Sequence, residues 1–305
     1  MKIQFFALHL SVKPLSVKST PLLILAICAL TLSCKKSNSS KGPSGPLLTS
    51  YVEHQNADSV IYNMTYDNNN RLINITFTGT GFGPSLNISG TQITRNVAGI
   101  ITQYIDSYPS PNPQLNPNDT VLVFYDNAKA QYTLLLQYNR VNSSGQPINV
   151  RDSTILVYDN SGRIVQELLY YFDAGTSADY YLSQTEYFAY DQQDNIITDS
   201  VVANSNAPQY VIHYQYDTYT NPLSLGNEAL LLPDRDWTGL PRISGWFSKN
   251  NVISGAYTDL QSSISDFSVQ RVFNYSSARL PLNSTDQWQD TQTGPLTNGS
   301  TNYYY

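Results

Sequence analysis

The densest polar cluster in the chain is Asp234-Arg235-Asp236-Trp237. Two carboxylates, a guanidinium and an indole at a cavity mouth would suit a sugar, with charged groups on the hydroxyls and the Trp237 ring stacked on the pyranose face. Asp234 and Asp236 are also the candidate acids for a glycan hydrolase, although nothing in their spacing sets them on opposite sides of a scissile bond. The competing reading is structural: Trp237 packs on the end of the fold while Arg235 pairs locally. His54 and His213 are distant in sequence and lack an adjacent acid or nucleophile. A metal or catalytic role needs convergent ligands, so they point to neither. No G-x-S-x-G motif is present, and the chain from Cys34 onward has no S-x-x-K. The Asn-rich stretch "DNNN" at Asp67 offers alternating oxygens of the kind calcium takes, but the acidic residue that closes a calcium loop is missing. The expectation is a protein without cofactor, metal or catalysis.

The two cysteines, Cys28 and Cys34, both lie near the start. Lys2, Lys13 and Lys18 precede the apolar run "PLLILAICALTL", which has the charge and hydropathy profile of a secretory signal peptide. The run is too short to cross a bilayer, which takes about 20 residues. The sequence Leu30-Thr31-Leu32-Ser33-Cys34 then resembles a bacterial lipobox, with Thr31 where Leu is commonest. That resemblance implies cleavage behind Ser33 and acylation of Cys34, so residues 1–33 read as signal peptide. Residues 34–48 read as a flexible lipidated tether, rich in Ser, Lys, Gly and Pro. The mature domain, 49–305, then carries no thiol for a disulfide, a metal or a nucleophile. The leader resembles those of Bacteroidota lipoproteins, in which acidic residues just behind the cysteine accompany surface export. Lys35 and Lys36 hold those places here, so the outer-membrane lipoprotein is expected to face either the periplasm or the cell surface.

Positioning any site falls to an all-β domain. Charged residues make up 13% of the chain and net charge is −6, which argues against a nucleic-acid footprint. The 24 Tyr residues, with abundant Thr, favour strands, while Asn, Asp and Gly favour turns. Alternation predicts strands with Val60, Tyr62, Met64 and Tyr66 on one face, Tyr210, Ile212, Tyr214 and Tyr216 on another, and Tyr132, Leu134, Leu136 and Tyr138 on a third. Internal repetition adds the topology. "YDNNNRLI" at Tyr66 recurs as "YDNSGRIV" at Tyr158 and "YDQQDNII" at Tyr190, with more worn copies at Tyr125, Tyr216 and Tyr275 and degenerate ones at Thr94 and Trp246. A period near 30 residues is one β-hairpin per repeat, with Asp opening the turn and Asn or Gly accepting positive φ. The expected fold is an antiparallel β-meander of hairpins curled into a large barrel-like sheet, with a Tyr-rich interior and a polar exterior.

The repeated YDxxGR[IL] unit is similar to the YD repeats of Rhs-type proteins. Together with the lipobox, "SKNN" at Ser248 and the Tyr-rich C-terminus, the chain resembles a Bacteroidota lipoprotein family of unknown function with a porin-like fold. Between Asn221 and Ser244 the rhythm breaks into a proline-bearing excursion, expected to be functional or a plug over the core. The readings that remain are a lipid-anchored envelope binding or scaffold module for a glycan or envelope protein, a membrane-inserted barrel, and a glycan-acting hydrolase. The first fits the sequence best.

Overall fold

The computed structural model describes residues 46–55, 58–80, 90–107, 118–138, 140–141, 147–148, 152–173, 179–232, 247–261, 266–290 and 296–305. They form an antiparallel meander that closes on itself as a sixteen-strand barrel. Its strands are β1 (Ser50–Gln55), β2 (Asp58–Tyr66), β3 (Leu72–Thr80), β4 (Gly90–Arg95), β5 (Ile101–Ser107), β6 (Asn118–Asp126), β7 (Gln131–Tyr138), β10 (Asp152–Tyr158), β11 (Ile164–Asp173), β12 (Asp179–Tyr190), β13 (Ile196–Ala203), β14 (Pro208–Thr220), β15 (Asn250–Asp259), β16 (Phe267–Tyr275), β17 (Pro281–Asp290) and β18 (Leu296–Tyr304). The short pair β8 (Arg140–Val141) and β9 (Pro147–Ile148) forms a separate ribbon between β7 and β10. Closure runs through β1 against β18, from Ser50 opposite Tyr304 to Gln55 opposite Gly299, so the first and last strands do not remain as edges.

One turn recurs around one rim, and it explains the repeat. In the β2–β3 turn Asp67 Oδ1 accepts the backbone N–H groups of Asn69 (2.8 Å) and Arg71 (3.0 Å), while Arg71 Nε donates to Oδ2 at 2.7 Å. Asp159 does the same with Ser161, Arg163 and the Arg163 guanidinium. Asp191 does it with Gln193 and Asn195, whose side-chain amide replaces the Arg. The degenerate copy is a true member: Asn96 Oδ1 accepts from Ala98 and Ile100, and Arg95 stands where the others have Tyr. Before the return strand one residue takes positive φ, namely Asn70, Gly99, Ala130, Gly162, Asp194 or Arg279. Arg279 therefore fills the left-handed position of its turn, not the pairing position held by Arg71 and Arg163.

Each of these hairpins slips register by one residue where the return strand begins, as at Tyr66 opposite Leu72, Tyr125 opposite Tyr132 and Tyr158 opposite Ile164. The slip corrects one expectation. With Phe124 paired to Leu134 and Tyr125 to Tyr132, Thr133 is the extra residue, so Tyr132 faces inward with Leu135 while Leu134, Leu136 and Tyr138 face out. The other two alternating segments point as predicted, Val60, Tyr62 and Met64 being buried on β2 and Ile212 and Tyr214 on β14. The copies at Tyr216 and Trp246 are likewise not two hairpins. They flank a single β14–β15 connection that the excursion interrupts.

The inward Tyr residues at this rim lace neighbouring hairpins together. Tyr66 Oη donates to the Leu48 carbonyl (2.8 Å), Tyr190 Oη to that of Ile164 (2.6 Å), Tyr305 Oη to that of Pro281 (3.1 Å), and Tyr216 Oη to that of Ile196. Burial pushes the Tyr66 phenol up to about 12, so its hydroxyl remains a donor at any physiological pH. Beneath the rim lies the core, with Tyr51 stacked on Tyr62 at 4.1 Å and Ile75, Ile101, Ile164, Ile196 and Ile212 fully enclosed.

Two outcomes follow for the turn. Asp159→Ala removes the acceptor of two backbone N–H groups and should lower unfolding free energy in urea by about 1–2 kcal/mol. Ala130→Gly relieves an L-residue at positive φ and should raise it by about 0.5 kcal/mol. At Asp159, burial pushes the carboxyl up, but the N–H groups of Arg163 and Ser161 and the Arg163 side chain outweigh it and hold it below the ordinary range. Its contribution is thus complete above pH ~4 and lost as pH falls below that. A urea midpoint followed from pH 6 to 3 should fall less steeply in Asp159→Asn than in the wild type.

Candidate functional site

The cluster Asp234, Arg235, Asp236 and Trp237 lies outside the described residues, as does Cys34. The flanks of the excursion that carries the cluster are described, and they fold into the turn-bearing rim. After Thr220 the chain enters through Asn221, whose Nδ2 donates to the Ser248 carbonyl, and then forms a 3-10 helix, Gly226–Leu231. Leu223, Leu230, Leu231, Leu232 and Phe247 are buried in the same core as the strand residues. Their burial makes these flanks, residues 221–232 and 247, a stopper in the rim and not a surface loop.

Polar contacts fix the stopper to distant hairpins. Arg95 grips Glu228 through two parallel bonds, Nη1 to Oε1 at 2.9 Å and Nη2 to Oε2 at 2.8 Å, and Tyr132 Oη donates to Oε1 at 3.0 Å. Asn227 Nδ2 donates to the Gly162 carbonyl of the β10–β11 turn, and Lys249 pairs with Asp194 of the β12–β13 turn. Burial alone would lower the Arg95 guanidinium, but the Glu228 carboxylate beside it holds it above its usual range. No sequence signal announced this pair: Arg95 sits in the most worn repeat, and Glu228 is 133 residues away.

Deeper in the barrel the inward face changes from apolar to acidic. Asp106, Asp119, Asp152, Glu167, Glu186 and Asp199 are buried on β5, β6, β10, β11, β12 and β13. Asp106 stands directly opposite Asp119, and Glu167 directly opposite Glu186. Thr91 Oγ1 donates to Asp106 at 2.5 Å and Gln137 Nε2 to Asp119 at 3.1 Å. Across the barrel, Arg271 donates to Asp286, which also accepts from Ser284, and burial of the guanidinium is outweighed by this carboxylate. These rows line that part of the inner wall with carboxyl groups. Among the described residues no three His, Cys, Asp or Glu side chains are placed to hold a metal ion. His54 and His213 both point outward, His213 Nδ1 lying 3.3 Å from Thr198 Oγ1, so they do not converge. None of the acidic residues was singled out from sequence. Each is an inward position of an alternating strand, a signal visible only once register is known.

No protein-family model matches the chain, and no curated protein matches it. Solved structures do. A porin-like protein from Bacteroides vulgatus aligns with TM-score 0.45 at 11% identity, over 85% of this chain and 99% of that one. A porin-like protein from Bacteroides uniformis aligns with TM-score 0.37 at 8% identity, over 85% of this chain and 97% of that one. Likeness at this level concerns the kind of fold alone.

The stopper can be tested directly. Glu228→Ala strands the buried Arg95 guanidinium without its carboxylate. Discounted for the partial exposure of Glu228, the loss should be about 2 kcal/mol of stability by chemical denaturation. Arg95→Met with Glu228→Leu should recover most of it.

Proposed function

We propose that this chain is a lipid-anchored cell-envelope protein whose barrel stands outside the bilayer and serves as a non-catalytic binding or scaffold module, held by acylated Cys34. The observation that carries this reading is the chemistry of the outer wall. On β16, β17 and β18, Asn274, Asn283 and Asn302 form one outward cross-strand row and Gln270, Gln287 and Asn298 another. On β2, β3 and β4 the outward residues include Asn63, Thr65, Asn74, Thr76 and Gln92. A membrane-inserted barrel needs an apolar band about 25 Å tall around its whole circumference. Asn274 Nδ2 donates to Asn283 Oδ1 and Gln270 Nε2 to Ser254 Oγ, but each side-chain amide has further donor and acceptor sites that water satisfies and hydrocarbon does not, so rows of amides on this side oppose insertion. The stopper at the turn-bearing rim further favours a presenting surface over a conduit.

The partner suggested by the sequence is a glycan at Asp234, Arg235, Asp236 and Trp237, with an envelope protein as the alternative. Two measurements bear on the proposal. Cys34→Ala should move the protein from the membrane fraction to the soluble periplasmic fraction without detergent, whereas retention in the membrane would place the barrel in the bilayer. A thermal-shift screen of envelope and dietary glycans should yield a ligand that raises the melting temperature by mass action, an effect lost in Trp237→Ala. No shift across the panel would transfer the proposal to a protein partner.

A further inference from the structure

Eight strands enclose an interior that side chains alone fill, whereas sixteen leave room for a water channel. Yet Asp199 on β13 is 0% exposed, and Asp106 and Asp119 on β5 and β6 are 3% exposed. Across the lumen Arg271 and Asp286 are buried as well. Side chains pointing into an open lumen of this width would be wet, so protein occupies the lumen at the level of the carboxylates. The described parts of the stopper end inside the core, at Leu232 and Phe247, and residues 233–246 connect them.

Buried carboxylates also call for positive charge, because one left uncompensated in a dry interior is costly. Among the described residues, Arg71, Arg95, Lys129, Arg163 and Lys249 pair with carboxylates of the rim turns and the stopper. Arg271 pairs with Asp286, and Arg279 is exposed in its turn. From Thr49 onward the remaining Lys and Arg residues are Arg140, Arg151, Arg235 and Arg242. The first two belong to the connection from β7 to β10. Arg235 lies between Asp234 and Asp236, whereas the five residues on either side of Arg242 are uncharged.

Reach favours the same residue. Phe247 packs its ring against Tyr214 of β14, with centroids 5.4 Å apart. From Tyr214, Asp199 lies one strand across and one inward position deeper, and Glu186 two strands across and two positions deeper. At about 4.8 Å per strand and about 7 Å per inward position, both are within about 18 Å, the most that the five residues from Phe247 back to Arg242 extend.

We propose that this inner wall is matched to the chain's own excursion, the Arg242 guanidinium supplying the positive charge that Asp199 and Glu186 face in the lumen. Its planar fork carries five donors, enough for two carboxylates. The inner carboxylates then hold a segment of the same protein and do not offer a path to cations. Trp237 lies five residues before Arg242, so the contact also governs where the candidate binding cluster stands. The inference depends on neither the anchor nor a glycan.

The test is a mutant cycle on the full mature protein, read as the unfolding equilibrium in urea at pH 7 by circular dichroism. Arg242→Met should raise the unfolding constant about 30-fold or more in the wild-type background, but less than about threefold once Asp199→Asn and Glu186→Gln are present. Arg151→Met and Arg235→Met should each act alike in both backgrounds. If Arg242→Met does not fold by itself, recovery of a cooperatively unfolding barrel by the two wall substitutions supports the assignment, and failure to recover it overturns it. Equal effects of Arg242→Met in both backgrounds overturn the proposal, as does a background-dependent effect at Arg151 or Arg235 without one at Arg242.

Discussion

The pairing of β1 with β18 is the constraint on which the rest depends. It converts a meander with two exposed edges into a ring, and only in a ring do alternate residues divide cleanly into a lumen face and an outer face. Tyr51 and Tyr303, which sit opposite each other on the closing strands, become core residues only because of that seam. The acidic inner wall and the amide-rich outer wall have no meaning without it.

The rim turns keep that division in register. An aspartate carboxylate satisfies two N–H groups that face no strand partner, and the one-residue slip behind it returns the chain with an apolar residue pointing inward. The Tyr190 and Tyr216 hydroxyls then tie the β10–β11, β12–β13 and β14–β15 hairpins together at the level where the excursion enters. Stopper and rim thereby share one core, and Glu228 meets Arg95 and Tyr132 from hairpins remote in sequence.

Much of this was legible in the sequence, for local reasons. Alternation over Val60–Tyr66 and over Tyr210–Tyr216 read the inward faces correctly because, where register shifts at Tyr66 and Tyr216, the extra residue lies on the partner strand, Ile73 on β3 and Ile253 on β15. The same logic failed at Gln131–Tyr138, where Thr133 is inserted and a period of two cannot show an extra residue. The turn motif was readable because one carboxylate satisfies donors two and four residues away. In the worn copy at Tyr275 the arginine stands one place earlier in the turn, so Arg279 bears the positive φ and does not take the pairing position of Arg71 and Arg163. The acidic wall was hidden for another reason: it takes one residue per strand, and only the register assembles it.

The closed barrel is proposed to stand outside the bilayer. Light scattering and circular dichroism on the chain from Ser40 onward, purified without detergent, decide this. A barrel outside the bilayer gives a β-rich, monodisperse protein that unfolds cooperatively in urea. A chain that aggregates unless detergent is present, and unfolds cooperatively only within micelles, would contradict it and make the outer wall a lipid-spanning surface.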